Sequence, residues 1–298
     1  MKVSVIGANS YIARNIIYIL KQFPQKYKLS LYDKSEEQLD SLDSYKSIDI
    51  LSRNSVKYID FSCDIIFMFV GKTGSMQGFA EYDSFININE RALLNVLNEY
   101  KVQKSNAKII FPSTRLVYKG RSGKLKENAE KEFKTIYAIN KYSCEQYLEM
   151  YNRVYNVRYC IFRICLPYGT LIANASSYGT AEFFLSRAKS NENITLYGDG
   201  NQRRTLTYIG DLCNILIKGA MSERCINDVY NIGGEDYSLY DMANLIAKLY
   251  KVNIELIEWP EVAKLIESGD TVFDSEKLDK IIDYKSKMKF ASWISEFN

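Results

Sequence analysis

Lys2-Val3-Ser4-Val5-Ile6-Gly7-Ala8-Asn9-Ser10-Tyr11-Ile12-Ala13 reads as a short apolar strand, a turn of small residues and the start of an amphipathic run that reaches residue 23. Strand, tight turn and helix in that order aim the first helical amides at an anion, the arrangement that holds a pyrophosphate at the end of a parallel strand. Lys28-Leu29-Ser30-Leu31-Tyr32-Asp33 follows as a second strand ending in an acid. A carboxylate there accepts hydrogen bonds from both ribose hydroxyls of an adenosine and repels a 2′-phosphate. Gly7 alone could be any loop glycine and Asp33 any helix cap. Together they predict a dinucleotide site drawing on Gly7, Asn9, Ser10, Tyr11, Ile12, Asp33 and Lys34. Asp33 favours NAD over NADP, and Lys34 beside it is a mild counter-signal.

The same alternation continues outward. A third strand is expected over residues 47–50, a weak helix over 52–60, and a fourth strand over 63–71 that is apolar throughout, as a strand buried on both faces should be. A polar loop (72–84), a helix (85–102), a strand ending at Thr114, a helix running to about residue 155 and a strand over 157–164 complete the series. No internal repeat or low-complexity linker interrupts it. The expected fold is therefore α/β, a doubly wound parallel sheet. After Pro167-Tyr168-Gly169 the pattern loosens into a loop (172–178), a helix (180–189), a strand running into the Gly198-Asp199-Gly200 turn, a basic loop, a further strand and turn at 229–234, a helix (239–250) and a tail (274–297) expected to be helical. This predicts a dinucleotide-binding domain over 1–166 and a smaller, mainly substrate-binding lobe over 167–298, with 205–232 packing back onto the first.

Composition narrows the chemistry. Of 298 residues, 47% are hydrophobic and 25% charged, ordinary for a globular protein. The net charge of +3 is too small and too evenly spread to argue for nucleic acid or a membrane surface. No apolar run reaches the roughly 18 residues of a membrane span, and the N-terminus does not resemble a signal peptide. The six cysteines include no C-x-x-C pair and are expected to be reduced core thiols of a cytoplasmic protein. The chain contains no histidine. That removes Ser-His-Asp and Cys-His nucleophiles, His-x-x-x-His zinc sites and any imidazole base, and no metal is expected.

With imidazole absent, acid–base work falls to Tyr, Lys, Asp, Glu or Cys. Tyr137-Ala138-Ile139-Asn140-Lys141 places a phenol and an ammonium about one turn apart on one helix face. There the ammonium is expected to lower the phenol pKa, making Tyr137 a proton donor and acceptor near neutral pH. Alone the spacing is weak, since the chain holds 24 tyrosines and 39 basic residues. Ile109-Ile110-Phe111-Pro112-Ser113-Thr114 supplies a partner, a buried strand ending in hydroxyls. The three groups suit moving a proton on or off a sugar-type hydroxyl while a hydride leaves or arrives. In the basic loop Asn201-Gln202-Arg203-Arg204, two guanidiniums suit phosphate, although a solvated basic turn would read the same way.

These residues resemble the extended short-chain dehydrogenase/reductase family, specifically its nucleotide-sugar epimerases, dehydratases and reductases, over nearly the whole chain. Residues 7–13 are similar to the family's Gly-x-x-Gly-Tyr-Ile-Gly turn, and Ser113-Thr114-Arg115-Leu116-Val117-Tyr118 to its Ser-Ser-x-x-Val-Tyr-Gly segment. Gly198-Asp199-Gly200-Asn201-Gln202-Arg203-Arg204, followed by Tyr208-Ile209-Gly210-Asp211, is similar to its Gly-Asp-Gly-x-Gln-x-Arg…Asp signature. The resemblance implies Thr114, Tyr137 and Lys141 as the catalytic set. It adds Asp49 and Ile50 at the adenine, Phe69, Val70 and Gly71 against the cofactor, and Asn89 in support. It implies a nucleoside-diphosphate sugar as partner, with Thr73, Thr114, Tyr178, Tyr197 and Arg204 (rather than Arg203) as substrate contacts, and a homodimer formed through the helices 85–102 and 137–155.

Departures from the pattern sharpen the expectation. Ser10 and Ala13 replace two glycines of the turn, Lys119 the glycine after Val-Tyr, and Leu166 an asparagine. Arg115 and Leu116 stand where 4,6-dehydratases carry Asp-Glu, so elimination of water lacks its acid and base. The expected activity is therefore an NAD-dependent nucleotide-sugar epimerase, at C4 through a transient keto sugar. An NAD(P)H-dependent reductase of a nucleotide 4-keto-6-deoxy sugar is the alternative. A non-catalytic dinucleotide sensor on the same fold is a third reading, against which the intact Thr114, Tyr137 and Lys141 weigh.

Overall fold

The apolar runs pair as parallel strands. The computed structural model describes residues 1–37, 39–40, 44–173, 175 and 179–297, so Tyr178 lies outside the described residues. In chain order the strands are β1 Lys2–Ile6, β2 Lys28–Asp33, β3 Tyr45–Ser47, β4 Ile65–Met68, β5 Lys108–Thr114, β6 Lys124–Leu125, β7 Arg158–Ile164, β8 Leu166–Tyr168, β9 Ile194–Tyr197, β10 Arg203–Tyr208, β11 Asp228–Asn231, β12 Glu235–Ser238, β13 Ile254–Ile257 and β14 Val272–Phe273. Seven of them form one sheet in the order β11-β7-β5-β4-β1-β2-β3, and every pair in it is parallel.

Both faces of this sheet are covered, which is why its strands are apolar on both sides. On one face the helices Tyr11–Lys21 and Ile209–Met221 bury Ile16, Leu20, Leu212 and Leu216 against Val5, Phe67 and Phe162. On the other, Ala92–Val102 and Ile136–Tyr155 bury Leu93, Leu97, Cys144 and Leu148 against Ile66 and Ile109. The chain runs from β1 outward to β3, then returns to β4 on the other side of β1. Strand order therefore reverses between β1 and β4, and the crevice at their carboxyl ends is where ligands of such sheets bind.

The remaining strands form small sheets: β12-β10-β8, β13-β9 and β14-β6. A separate apolar cluster joins the helices Thr180–Lys189, Leu239–Tyr250 and Phe290–Ser295 through Leu185, Ile246 and Trp293. Of residues 205–232, the helix Ile209–Met221 and β11 pack on the large sheet, while β10 belongs to a small one.

Four expected elements differ, the first being the loop expected over 72–84, which carries the single-turn helices Gln77–Ala80 and Tyr82–Phe85. The third strand ends at Ser47 rather than running to residue 50, because Asp49 turns the chain by accepting from the Leu51 amide at 3.0 Å. The helix expected over 52–60 is one turn, Arg53–Val56. The tail is helical only over Glu276–Asp279 and Phe290–Ser295. Between them the Asp211 carboxylate accepts from Tyr284 Oη (2.6 Å), Ser286 Oγ (2.6 Å) and the Lys287 amide (3.1 Å), outcompeting a helical ladder. All six cysteines are buried and unpaired. Among the described residues, no helix is long and apolar enough to cross a membrane.

Candidate active site

Backbone geometry shapes the first part of the site. Gly7 has φ +84°, and a Cβ there would lie 2.7 Å from Val70 N and 2.8 Å from Phe69 C. Only glycine lets the end of β1 approach the end of β4 so closely. The Gly7 and Ala8 amides both donate to Tyr32 O, at 2.8 and 3.0 Å, which turns the chain into the helix Tyr11–Lys21. A cavity of about 350 Å³ opens at this turn, and of the expected cofactor residues Gly7, Asn9, Ser10, Asp33, Lys34, Asp49, Ile50, Phe69, Val70 and Gly71 line it. Tyr11 and Ile12 do not. Tyr11 Oη instead donates to Gly169 O at 2.5 Å, and Ile12 packs on the core.

Two observations test whether these residues suit a dinucleotide. Ser10 Oγ, at the helix N-terminus, is buried without a hydrogen-bond partner; a phosphate oxygen would supply one. Asp33 is held by the Asn9 amide (3.0 Å to Oδ2) and the Ser35 amide (3.2 Å to Oδ1). Each carboxylate oxygen keeps a further lone pair for a ribose hydroxyl. The residues fit NAD. A larger hollow of about 680 Å³, around Asp64, Lys108 and Glu223, lies at the opposite, amino-terminal ends of the strands, away from this chemistry.

The wall beside Gly71 is fixed from behind by Asn89. It sits in a single π-helical turn, Ile86–Arg91, at the start of the expected helix, a feature frequent at functional sites. Its buried amide accepts from the Lys72 N–H (2.8 Å) and donates to Lys72 O (3.1 Å), clamping the chain as it leaves β4. Asn89 thus supports the cavity without lining it.

Thr114 and Tyr137 meet at the carboxyl end of β5, the strand beside β4. Thr114 ends β5 and is buried; its Oγ1 accepts from the Leu116 amide at 3.3 Å, and the hydroxyl faces the Tyr137 phenol. Thr135 caps the helix Ile136–Tyr155 by accepting from the Ala138 amide at 3.1 Å, which sets where the Tyr137 turn begins. Lys141, one turn on, is buried; its ammonium donates to Pro112 O at 2.8 Å and lies 4.5 Å from the Phe111 ring centroid.

The electrostatics differ from the expectation. Burial pushes the Tyr137 phenol up to about 12, the Thr114 hydroxyl only partly opposing it. Burial likewise pulls Lys141 down to about 8. In the protein alone the ammonium is spent on the Pro112 carbonyl rather than on the phenol. At neutral pH Tyr137 is therefore a proton donor, and becomes an acceptor only when a further positive charge lies beside it.

The expected substrate contacts scatter. Arg204 points inward from β10 and is 2% exposed; it donates to Gly269 O (2.6 Å) and to Glu267 Oε1 (2.5 Å). Arg203, its neighbour on the strand, points outward to Asp236 at 2.8 Å. Thr73 is exposed in the loop after β4. Tyr197 is 42% exposed at the end of β9, its ring 5.2 Å from that of Trp259.

Sequence reasoning missed a buried polar network beneath Thr114. Ser113 Oγ donates to Glu145 Oε1 (2.5 Å), and Arg163 makes a two-pronged pair with the same carboxylate at 3.0 and 2.6 Å. Arg163 also donates to Tyr118 Oη (2.7 Å), which donates to Asn231 Oδ1 (2.7 Å). The network ties the end of β5 to the Tyr137 helix and to β7 and β11. Two signals pointed to it: Glu145 is one helical turn beyond Lys141, and Arg163 is a charge inside an otherwise apolar strand.

Comparison with known proteins agrees with this fold. The profile of the NAD dependent epimerase/dehydratase family matches residues 3–233. A putative UDP-glucose 4-epimerase of Methanocaldococcus jannaschii is 27% identical over 169 residues, 55% of this chain and 53% of that protein. The match thus spans about half the length of that relative. CDP-paratose 2-epimerase of Salmonella typhi is 22% identical over 97% of this chain and 95% of its own. Among solved structures, UDP-glucose 4-epimerase of Thermus thermophilus in complex with NAD superimposes with a TM-score of 0.86 at 19% identity, covering 99% of this chain and 96% of that one; at that identity the likeness speaks for the fold.

Proposed function

The chain belongs to the NAD-dependent epimerase/dehydratase family, and from that premise we propose that it interconverts two epimers of a nucleoside-diphosphate sugar, acting at C4. NAD, when bound, supplies the reversible hydride acceptor and, in its oxidised form, a positive ring charge. Tyr137 Oη takes the proton of the sugar hydroxyl and later returns it, relying on that added charge to bring its phenol down from about 12. Thr114, whose hydroxyl faces the Tyr137 phenol, holds the same substrate hydroxyl in line. Lys141 fixes the end of β5 through Pro112 O and keeps positive potential beneath the site. Arg204 takes the diphosphate, exchanging Glu267 for phosphate oxygens. Residues 1–166 serve the cofactor and 167–298 mainly the substrate, and two copies pair through the exposed faces of the helices Ala92–Val102 and Ile136–Tyr155, where Val102, Ile139, Met150 and Val154 are uncovered.

The observation that carries this reading is that Thr114 and Tyr137 face each other at the end of β5, next to β4, while Lys141 Nζ lies 3.6 Å from where a Cβ on the cavity-lining Gly71 would stand. With arginine and leucine at 115 and 116, no carboxylate stands there to expel water. The 4-epimerase named among the relatives supports C4. The test is a panel of UDP-, dTDP-, GDP- and CDP-sugars incubated with the protein and read by product NMR. Epimer formation without net consumption of cofactor is expected; no conversion of any sugar overturns the reading. One observation favours a reductase instead: a phenol at about 12 is a ready acid for protonating a keto sugar. Stoichiometric oxidation of added NAD(P)H by a 4-keto sugar would decide for it.

A further inference from the structure

Immediately after Thr114 the chain carries a second guanidinium into the corner occupied by Arg204. Arg115 Nη1 donates to Ser268 Oγ at 2.7 Å, with Thr271 Oγ1 at 3.5 Å. Its charged neighbours are Arg204 and Glu267, and the Cys165 thiol also faces it. Glu267 is already engaged: its Oε1 accepts from Arg204 Nη2 at 2.5 Å and from the Gly269 amide at 3.0 Å. Two positive charges thus share one carboxylate, and the hydrogen-bond partners of Arg115 among the described residues are neutral hydroxyls. Burial and the charge of Arg204 together pull the Arg115 guanidinium down to about 10. A partly buried guanidinium in this position is stabilised by an oxyanion that accepts two of its planar donors.

The position says whose oxyanion it is. Arg115 follows Thr114 directly, and the Thr114 hydroxyl faces the Tyr137 phenol. An anion reaching Arg115 therefore belongs to the molecule whose hydroxyl those two groups handle. We propose that Arg115 is a specificity-determining residue of the substrate cleft, binding an oxyanion of the nucleotide sugar, either its diphosphate or a carboxylate on the sugar ring. This rests on the nucleotide-sugar reading above. Ser268 and Thr271 hold the guanidinium in place for that contact. The rival explanation is a strut, in which Arg115 only ties residues 268–271 to the end of β5.

The experiment uses the full-length protein loaded with NAD. Wild type, Arg115→Met and Arg115→Lys are titrated by calorimetry with whichever of UDP, dTDP, GDP and CDP the wild type binds best, and with the matching glucose and glucuronic acid conjugates. Thermal midpoints are recorded alongside. Arg115→Met is expected to weaken binding about 10- to 100-fold, in the range of a lost charge-assisted hydrogen bond, with Arg115→Lys recovering part of it. Loss across all three ligands assigns the contact to the diphosphate, and loss confined to the glucuronic acid conjugate assigns it to a sugar carboxylate. Either outcome sustains the proposal. Unchanged affinities with a lowered thermal midpoint overturn it in favour of the strut. If Arg115→Met does not fold, Arg115→Lys carries the same comparison, because lysine keeps the charge but not the planar fork. A wild type that binds no nucleotide would instead refute the nucleotide-sugar reading itself, and the proposal with it.

Discussion

The cofactor cavity and the proposed substrate corner are assembled in different ways. At the first, Gly7, Asp33 and Gly71 meet because β1, β2 and β4 are adjacent parallel strands, and backbone amides hold Asp33. At the second, Arg204, Arg115 and Glu267 are gathered by side-chain bonds between segments 63 and 153 residues apart in sequence. The first end is an open cavity of about 350 Å³ with an orphaned serine hydroxyl. The second is closed upon itself, its principal arginine 2% exposed and paired. A backbone-built site stands ready, whereas a site built from long charged side chains pairs internally and must exchange partners to bind.

Several substitutions probe that contrast. The largest effect is expected at Gly7. In Gly7→Ala the new Cβ meets backbone atoms of β4 at 2.7 and 2.8 Å in a left-handed conformation, and neither wall can yield. The rise in thermal midpoint that NAD gives the wild type should vanish, together with activity; retained NAD stabilisation would break the claim that the turn is rigid. Next is Asp33→Ser, which removes the ribose acceptor and the negative charge opposing a 2′-phosphate. The ratio of NAD to NADP affinity should fall roughly tenfold, the equivalent of about 1.4 kcal/mol. A ratio unchanged in fluorescence titrations would remove Asp33 from the site.

At the other end, Glu267→Gln frees Arg204 from its carboxylate. We expect a lower thermal midpoint without nucleotide and a several-fold tighter nucleoside diphosphate, since no ion pair has to open. A weaker complex would mean that Glu267 orients Arg204 rather than competing for it.

The smallest effect concerns stability at Lys141. Its folded value, about 8, lies below the ordinary 10.5, so between those values the unfolded chain binds more protons. Its contribution to stability is therefore unfavourable below pH 8 and improves as pH rises through the window. Lys141→Met removes that slope. Relative to the variant, wild type should gain a few degrees in thermal midpoint between pH 8 and 10.5. Parallel curves would contradict the buried-ammonium account.

What was legible in the sequence follows the same division. The parallel sheet, the Gly7 turn and the helix carrying Tyr137 and Lys141 were readable because each is set by local pattern: apolar runs, a small-residue turn, a four-residue spacing. The helix 239–250 was read to its ends from its amphipathic pattern, and the structure shows Ser238 capping it by accepting from the Asp241 amide at 2.9 Å. The early end of β3 and the unwound tail were not readable, since Asp49 and Asp211 act there through hydrogen bonds that alternation does not reveal. Nor was the electrostatic state of the catalytic pair. Spacing put Lys141 one turn from Tyr137, but its ammonium donates instead to the Pro112 carbonyl, supplied by a separate strand. The pairing of Arg204 with Glu267, and of Arg163 with Glu145, likewise depends on which distant segments the fold brings together.

The central claim is that Tyr137, with Thr114 beside it, moves the substrate proton. It is tested most directly by product NMR on wild type and Tyr137→Phe, both loaded with NAD, using a nucleotide sugar that the wild type converts. Tyr137→Phe should retain NAD and substrate binding while epimer formation falls about 10²- to 10⁴-fold, the range of a lost general acid–base. Conversion at the wild-type rate by Tyr137→Phe would contradict the account.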